Sequence, residues 1–524
     1  MAAQRIEAAA KSALIAAIVL TLLAVAADSS GVTLAVAPIV ALLVIFVMSR
    51  VPLRYSLVVL TFFAFTLENP DEVPAMGLWH SPFSTLGAIM LTHLNAVDRS
   101  MKAISWAAFS GMDLCIVTLF LIAWQRKSSR SKIDGGNRVA TPKPLMQVNY
   151  ISLGAIAFIW MAGLAQGGDF GMSLWQVNRV VYLPLLFFLY QTGLRGPQDN
   201  AMLARCVLYA ATLRAVMAFY IKHTVDAPLD EAGNSTLVYA TSHADSMLFA
   251  TAVVVCVSLL LERVPRTLKR NCVILLGIIC LGIMANGRRM AWVQVAIVLL
   301  TVYQRSADNP IKRRIRRILP YALGVFTMYA AVGWGSKSPL FKPVQMVQSI
   351  VQPQTDASSL WREIENYDII NTFRMNPIFG SGYGRPYVEF IHLDEVSYPL
   401  EHFAPHNSIL GLWCFCGYVG YTGLTLAWAV GVYFAMRAQR AAKEPFQRVA
   451  AIASFGGVLI YLVQCWGDVG LGSWTGVFIA APALATAGKL AVANGEWGSK
   501  KARDAAGATR TPSPSGMPAP EQAV

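Results

Sequence analysis

Charge is scarce in this sequence. Only 14% of its 524 residues are Asp, Glu, Lys or Arg, against about 25% in a typical soluble domain. Hydrophobic residues make up 55%, and they come in runs of roughly 15 to 25, the length that crosses a bilayer. A globule in water is thereby excluded, and an all-α polytopic transmembrane bundle is expected, because membrane helices satisfy their own backbone groups while lipid covers their apolar surface. Paired cysteines are lacking too. The eight cysteines (115, 206, 256, 272, 280, 414, 416 and 465) show no CxxC pair and no disulfide-like spacing, so they read as small apolar residues. No metal cluster or cofactor motif is visible. Negative charge is the scarcer sign, leaving a net charge of +14. On a soluble protein that would suggest nucleic acid. Here the excess lies in short loops between apolar runs, so nucleic acid is set aside in favour of membrane topology.

About fourteen apolar spans are expected on length: near 11–27, 32–48, 55–67, 108–124, 150–165, 177–190, 204–220, 239–261, 272–286, 290–304, 319–334, 407–435, 449–465 and 474–490. An interfacial helix fits 84–96. The first run, Ser12 to Ala27, reads as a retained helix and not a cleaved signal. Basic loops at 126–138, 262–271, 312–317 and 436–448 should be cytoplasmic, which puts both termini inside. Four regions follow: transmembrane helices over 1–334, a large external loop over 335–405, further transmembrane helices over 406–491, and a Pro/Ala/Ser-rich cytoplasmic tail over 492–524 that reads as disordered. Within the loop, Leu360, Ile364, Tyr367 and Ile370 recur at helical spacing, predicting an amphipathic helix. The loop acids, among them Glu363, Asp368, Glu389, Asp394 and Glu401, read as solvated.

This threading brings several cations to the external side. Arg179 opens one span, Arg288 and Arg289 form the turn between two more, and His406 opens another. Each has a bland reading: arginines snorkel to headgroups, a histidine caps a helix, and Gly417 and Gly420 allow close helix packing. Together they suit one chemistry. Arginines fork onto phosphate oxygens and would hold a pyrophosphate whose lipid tail stays in the bilayer, while a histidine takes a proton from a sugar hydroxyl. The reaction would be displacement at an anomeric carbon.

The stretch His406-Asn407, nine residues, Gly417-Tyr418-Val419-Gly420, following a large external loop, resembles the bacterial O-antigen ligases and related polysaccharide polymerases. NGRRMAWVQVAIVLL around Arg288 and NPIFGSGYG with Gly380 and Gly382 are similar to the family as well. Arg179 matches by placement alone. The resemblance implies an inner-membrane glycosyltransferase with a periplasmic site, working without metal or nucleotide and inverting the anomeric centre. Its donor would be a glycan on undecaprenyl pyrophosphate, and its acceptor either another glycan or lipid A–core. It also implies catalytic roles for His406, Arg288 and Arg289, pyrophosphate binding by Arg179 and Arg288, and supporting roles for Asn407, Gly417, Gly420, Gly380 and Gly382. A chain-length regulator and a flippase are further partners it suggests. Among relatives, polymerisation of a surface or exopolysaccharide is the more numerous role, which favours a polymerase over a ligase. Fourteen spans against the family's usual twelve or so, and the Pro/Ala/Ser-rich tail, are departures. A different class, a transporter or flippase for lipid-linked sugars, draws on Asp113 and Arg214, which fall inside spans.

Overall fold

The computed structural model describes residues 43–68, 82–91, 110–128, 133, 138–225, 239–336, 338, 341, 344–345, 348, 352, 357–392 and 401–497. Within them lie fourteen bounded α-helices and no strand. These are α1 (Leu53–Thr66), α2 (Pro82–Leu91), α3 (Gly111–Ser128), α4 (Lys143–Ala165), α5 (Phe170–Gly193), α6 (Asn200–Thr224), α7 (Asp245–Leu261), α8 (Arg266–Asn286), α9 (Arg289–Arg305), α10 (Pro310–Gly333), α11 (Ala357–Met375), α12 (Ser408–Ala441), α13 (Pro445–Gly467) and α14 (Trp474–Ala493). Seven candidate spans are long and apolar enough to cross a membrane: α4, α5, α6 with the short turn before it, α8, α12, α13 and α14. The protein is a polytopic helical membrane protein. The expected span 11–27, most of 32–48 and residues 498–524 of the tail lie outside the described residues; the start of the tail is ordered, with Glu496 paired to Arg437 and Trp497 edge-on to Phe434.

The bundle centres on α14, which is buried along most of its length and packs against α13, α12 and α5. α12 also lies along α4, and α7 along α13, α9 and α8. One end of the bundle gathers the basic turns. Arg448 pairs with Glu262 at 2.8 Å and Arg437 with Glu496 at 2.8 Å, Gln439 Nε2 donates to Arg305 O, and Lys489 Nζ donates to Val139 O. The opposite end carries α11 and the segments around it.

Three differences from the sequence reading have physical reasons. The basic run 312–317 is helical, because Asn309 accepts from Lys312 N at 2.8 Å and Pro310 follows at the first helical position, a strong start signal. The span expected from 239 begins at Asp245; the residues before it are a polar turn. The loop helix α11 exists, with its apolar residues Leu360, Tyr367 and Ile370 all exposed. Its buried face is Glu365, Asp368, Ile369 and Thr372, so Asp368 is not a solvated acid. Its Oδ1 accepts from Phe390 N and Ile391 N.

α12 is not one continuous helix. Gly417 sits at φ 56°, ψ −172°, a left-handed conformation open to glycine. The break frees backbone groups of α12, and the 376–384 loop takes them. Ser381 N and Gly382 N donate to Cys414 O and Phe415 O, while Tyr418 N and Val419 N donate to Pro377 O and Ile378 O. A Cβ on Gly417 would lie 2.4 Å from Ile378 O. Gly380 and Gly382, both at positive φ, press on Phe415 and Gly163 backbone respectively. Gly420 packs on Ile159 of α4. The two sequence motifs are thus the two halves of one backbone clamp, a role for Gly417 that helix packing alone does not express.

Candidate active site

The clamp fixes the segment leading into His406. Gly384 N donates to Gln176 Oε1 at 2.6 Å, and Gln176 Nε2 donates to Phe403 O at 2.8 Å. Gln176 stands one helical turn before Arg179 on α5, so the two share a face. Gln176, Arg179 and Val180 line a cleft whose other walls include Tyr383, Phe403, Pro405, Ser408, Leu412, Val469 and Leu471. The wall is mostly apolar, with Arg179 its one permanent charge.

His406 lies between the lining residues Pro405 and Ser408. Its backbone N donates to Glu365 of α11 at 3.1 and 3.2 Å, and its Nδ1 is 3.3 Å from Glu365 Oε1. The carboxylate is buried, 1% exposed, while the ring is 30% exposed. Opposite an ionised carboxylate, which only accepts, Nδ1 carries the proton and Nε2 is left as the unprotonated nitrogen. Trp361, one turn earlier on α11, meets the ring edge-on at 4.8 Å. Asn407 caps α12, its Oδ1 accepting from Leu410 N at 3.1 Å, so this side chain is committed to the helix start.

Arg288 is the N-cap residue of α9, following Gly287 at φ 69°. Its guanidinium lies 3.6 Å over the Tyr239 ring, a cation–π contact, and Nη1 is 2.8 Å from His243 Nε2. His243 Nδ1 is in turn 2.6 Å from Asp468 Oδ2. Burial alone would push Asp468 up, but the contact with His243, with the Arg362 charge and the Val469 N–H beside it, holds it well below the usual carboxylate range. Arg289 starts α9 half-buried; nothing among the described contacts brings it to the cleft.

The turn Asp468–Ser473 joins these parts. Asp468 O accepts from Ser408 Oγ at 3.2 Å, next but one to His406. Gly467 O accepts from Arg362 Nη1 at 3.1 Å. Val469 and Leu471 wall the cleft, and Arg179 packs so closely on Gly472 that a Cβ there would lie 3.3 Å from Nη1. The structure therefore brings Arg179, Arg288 and His406 around one turn. The sequence reading missed Glu365, His243, Asp468 and Arg362 as site residues. The available signal was a histidine and an acid at the ends of apolar runs, and an acid one turn from Trp361 on the same helix.

Arg214 and Asp113 are accounted for locally. Arg214 donates to Asp245 from Nε and Nη2 and to Glu68 from Nη1, at 2.7 to 3.1 Å, fully buried. Asp113 accepts from Ser110 N at the start of its own helix.

Fold and site together define a polytopic α-helical membrane protein with a mostly apolar cleft that Arg179 lines and whose wall residues Pro405 and Ser408 flank His406 in sequence. Residues 272–425 match the family model described as O-antigen ligase, so the chain carries a segment of an O-antigen ligase-like family. The match covers under a third of the chain. It includes Arg288, Glu365, His406 and the Gly417–Gly420 break; Arg179, His243 and Asp468 lie outside it. No curated protein matches the chain.

Proposed function

We propose that this chain is a membrane glycosyltransferase that moves a glycan from undecaprenyl pyrophosphate to a sugar hydroxyl. The observation that supports this best is the Asp468–Ser473 turn, which touches the cleft arginine Arg179, Ser408 next but one to the carboxylate-held His406, and, through His243, Arg288. Arg179 and Arg288 bind the pyrophosphate, and the lipid tail leaves toward the bilayer. The acceptor oxygen attacks the anomeric carbon. Its bond to carbon forms as the bond from carbon to the pyrophosphate oxygen breaks, and the configuration inverts. The acceptor proton passes to His406 Nε2 and then to water. Glu365 holds the ring and stabilises the imidazolium, while the arginines stabilise charge growing on the leaving pyrophosphate. No residue in this scheme calls for a metal.

The regions 1–334, 335–405, 406–491 and 492–524 are then membrane helices, a periplasmic segment carrying the site, further helices and a cytoplasmic tail, in the inner membrane. Polymerisation of a surface polysaccharide is the favoured role, with ligation onto lipid A–core second. Transport of lipid-linked sugar without chemistry is the alternative of another class; it draws less support from Arg214, which is tied to two carboxylates.

The test is transfer by purified protein given an undecaprenyl-pyrophosphate-linked repeat unit, once alone and once with lipid A–core. A ladder in the first reaction means polymerase, and product only in the second means ligase. No product in either from folded protein contradicts the proposal.

A further inference from the structure

We propose that His243 and Asp468 are positioning residues for Arg288 and, through it, for the donor's pyrophosphate; the inference rests on the transfer reaction proposed above. Arg288 sits on a turn, where a long side chain has many rotamers. Three groups narrow them: the Tyr239 ring face, His243 Nε2 and Thr241 O. Of these three, His243 is the one both charge-sensitive and anchored elsewhere among the described residues.

A guanidinium only donates, so His243 Nε2 must be the unprotonated nitrogen and Nδ1 must bear the proton. That nitrogen lies 2.6 Å from Asp468 Oδ2, a close charge contact and not an aligned hydrogen bond. Asp468 in turn is fixed by backbone bonds of its turn: Val469 N donates to Oδ1 at 2.9 Å, and Asp468 N donates to Gln464 O at 2.8 Å. Asp468 thus sets the His243 tautomer, and the tautomer sets the acceptor that Arg288 meets. The same turn carries the contact to Arg179 and to Ser408. Donor arginines on α5 and α9 are thereby referenced to one rigid piece of backbone. The other charged groups near the pair are spoken for: Arg362 donates to Gly467 O, and Asp245 is held by Arg214.

His243→Leu removes the acceptor and the donor. His243→Gln keeps one of each. The experiment measures transfer by wild type, H243L, H243Q and D468L in lipid nanodiscs, varying donor at fixed acceptor and then the reverse. H243L and D468L should raise the donor KM about tenfold or more, the scale of a lost hydrogen bond to a charged group, with the acceptor KM unchanged and H243Q within a few-fold of wild type. A donor KM unchanged in H243L, or a loss confined to kcat and folded yield, overturns the proposal. Direct binding of undecaprenyl pyrophosphate to the same proteins separates this from the reaction itself. Wild type that binds without transferring, with binding weakened in H243L and kept in H243Q, removes the reaction but retains the Arg288 assignment. Binding indifferent to His243 removes the assignment.

Discussion

Glu365 holds His406 at two points, accepting from its backbone N at 3.1 Å and facing its Nδ1 at 3.3 Å. The pair joins α11 of the 335–405 segment to the start of α12 across 41 residues of sequence. One carboxylate therefore fixes both where the ring stands and which nitrogen is free. Glu365→Gln keeps the shape but offers the ring an amide in place of an anion. Transfer should fall by about ten- to a hundredfold in kcat, less than the loss from removing the base itself, with the donor KM unchanged. Kinetics of the purified variant check this.

Gly417→Ala should destabilise the clamp. The left-handed backbone disfavours any Cβ, and this one would lie 2.4 Å from Ile378 O. A cost of about 1–3 kcal/mol is expected, read as a lower melting temperature in detergent. Gly324→Ala, where a Cβ would meet nothing within 4 Å, should leave the melting temperature close to that of wild type.

Arg214→Met should leave Glu68 and Asp245 buried without their cation. Breaking such a pair from one side costs about 3–5 kcal/mol. Folded yield and melting temperature should both drop. The protein that does fold should keep the wild-type KM for donor and acceptor, because the cluster serves stability.

Asp368 gives a pH-dependent prediction. Burial, against the opposing pull of the Phe390 and Ile391 amides, raises its pKa. A raised carboxylate pKa means the folded state holds its proton more tightly than the unfolded chain, so this contribution is present below about pH 4 and is lost as pH rises through the folded value. Among the described residues no hydrogen bond reaches its Oδ2. Asp368→Asn stays neutral and keeps Oδ1 for both amides. Its melting temperature should exceed wild type by a margin that grows from pH 4 to pH 8. A constant margin, or none, contradicts the burial argument.

Seven of the expected spans appear as helices long and apolar enough to cross a membrane, legible in the sequence because hydropathy and length are local properties. So was the start of α12 at His406-Asn407, where a capping side chain stands before an apolar run. The loop helix was legible in position but not in facing. Its buried side carries Glu365 and Asp368, acids that read as solvated or went unremarked in the sequence, because that face meets a polar segment and not a core. His243 and Asp468 were hidden for a different reason. Their meaning lies in a contact across 225 residues of chain, which periodicity does not encode. Gly417 was found through a motif, but its break becomes visible only with the loop that fills it.

The central claim is that His406 removes the acceptor's proton in a glycan transfer. The most direct measurement is the transfer rate of His406→Ala against wild type, at matched amounts of folded protein and saturating donor. The account predicts a fall of about 10²- to 10⁴-fold, with the melting temperature and the binding of undecaprenyl pyrophosphate close to wild type. A variant that transfers glycan at the wild-type rate would contradict it.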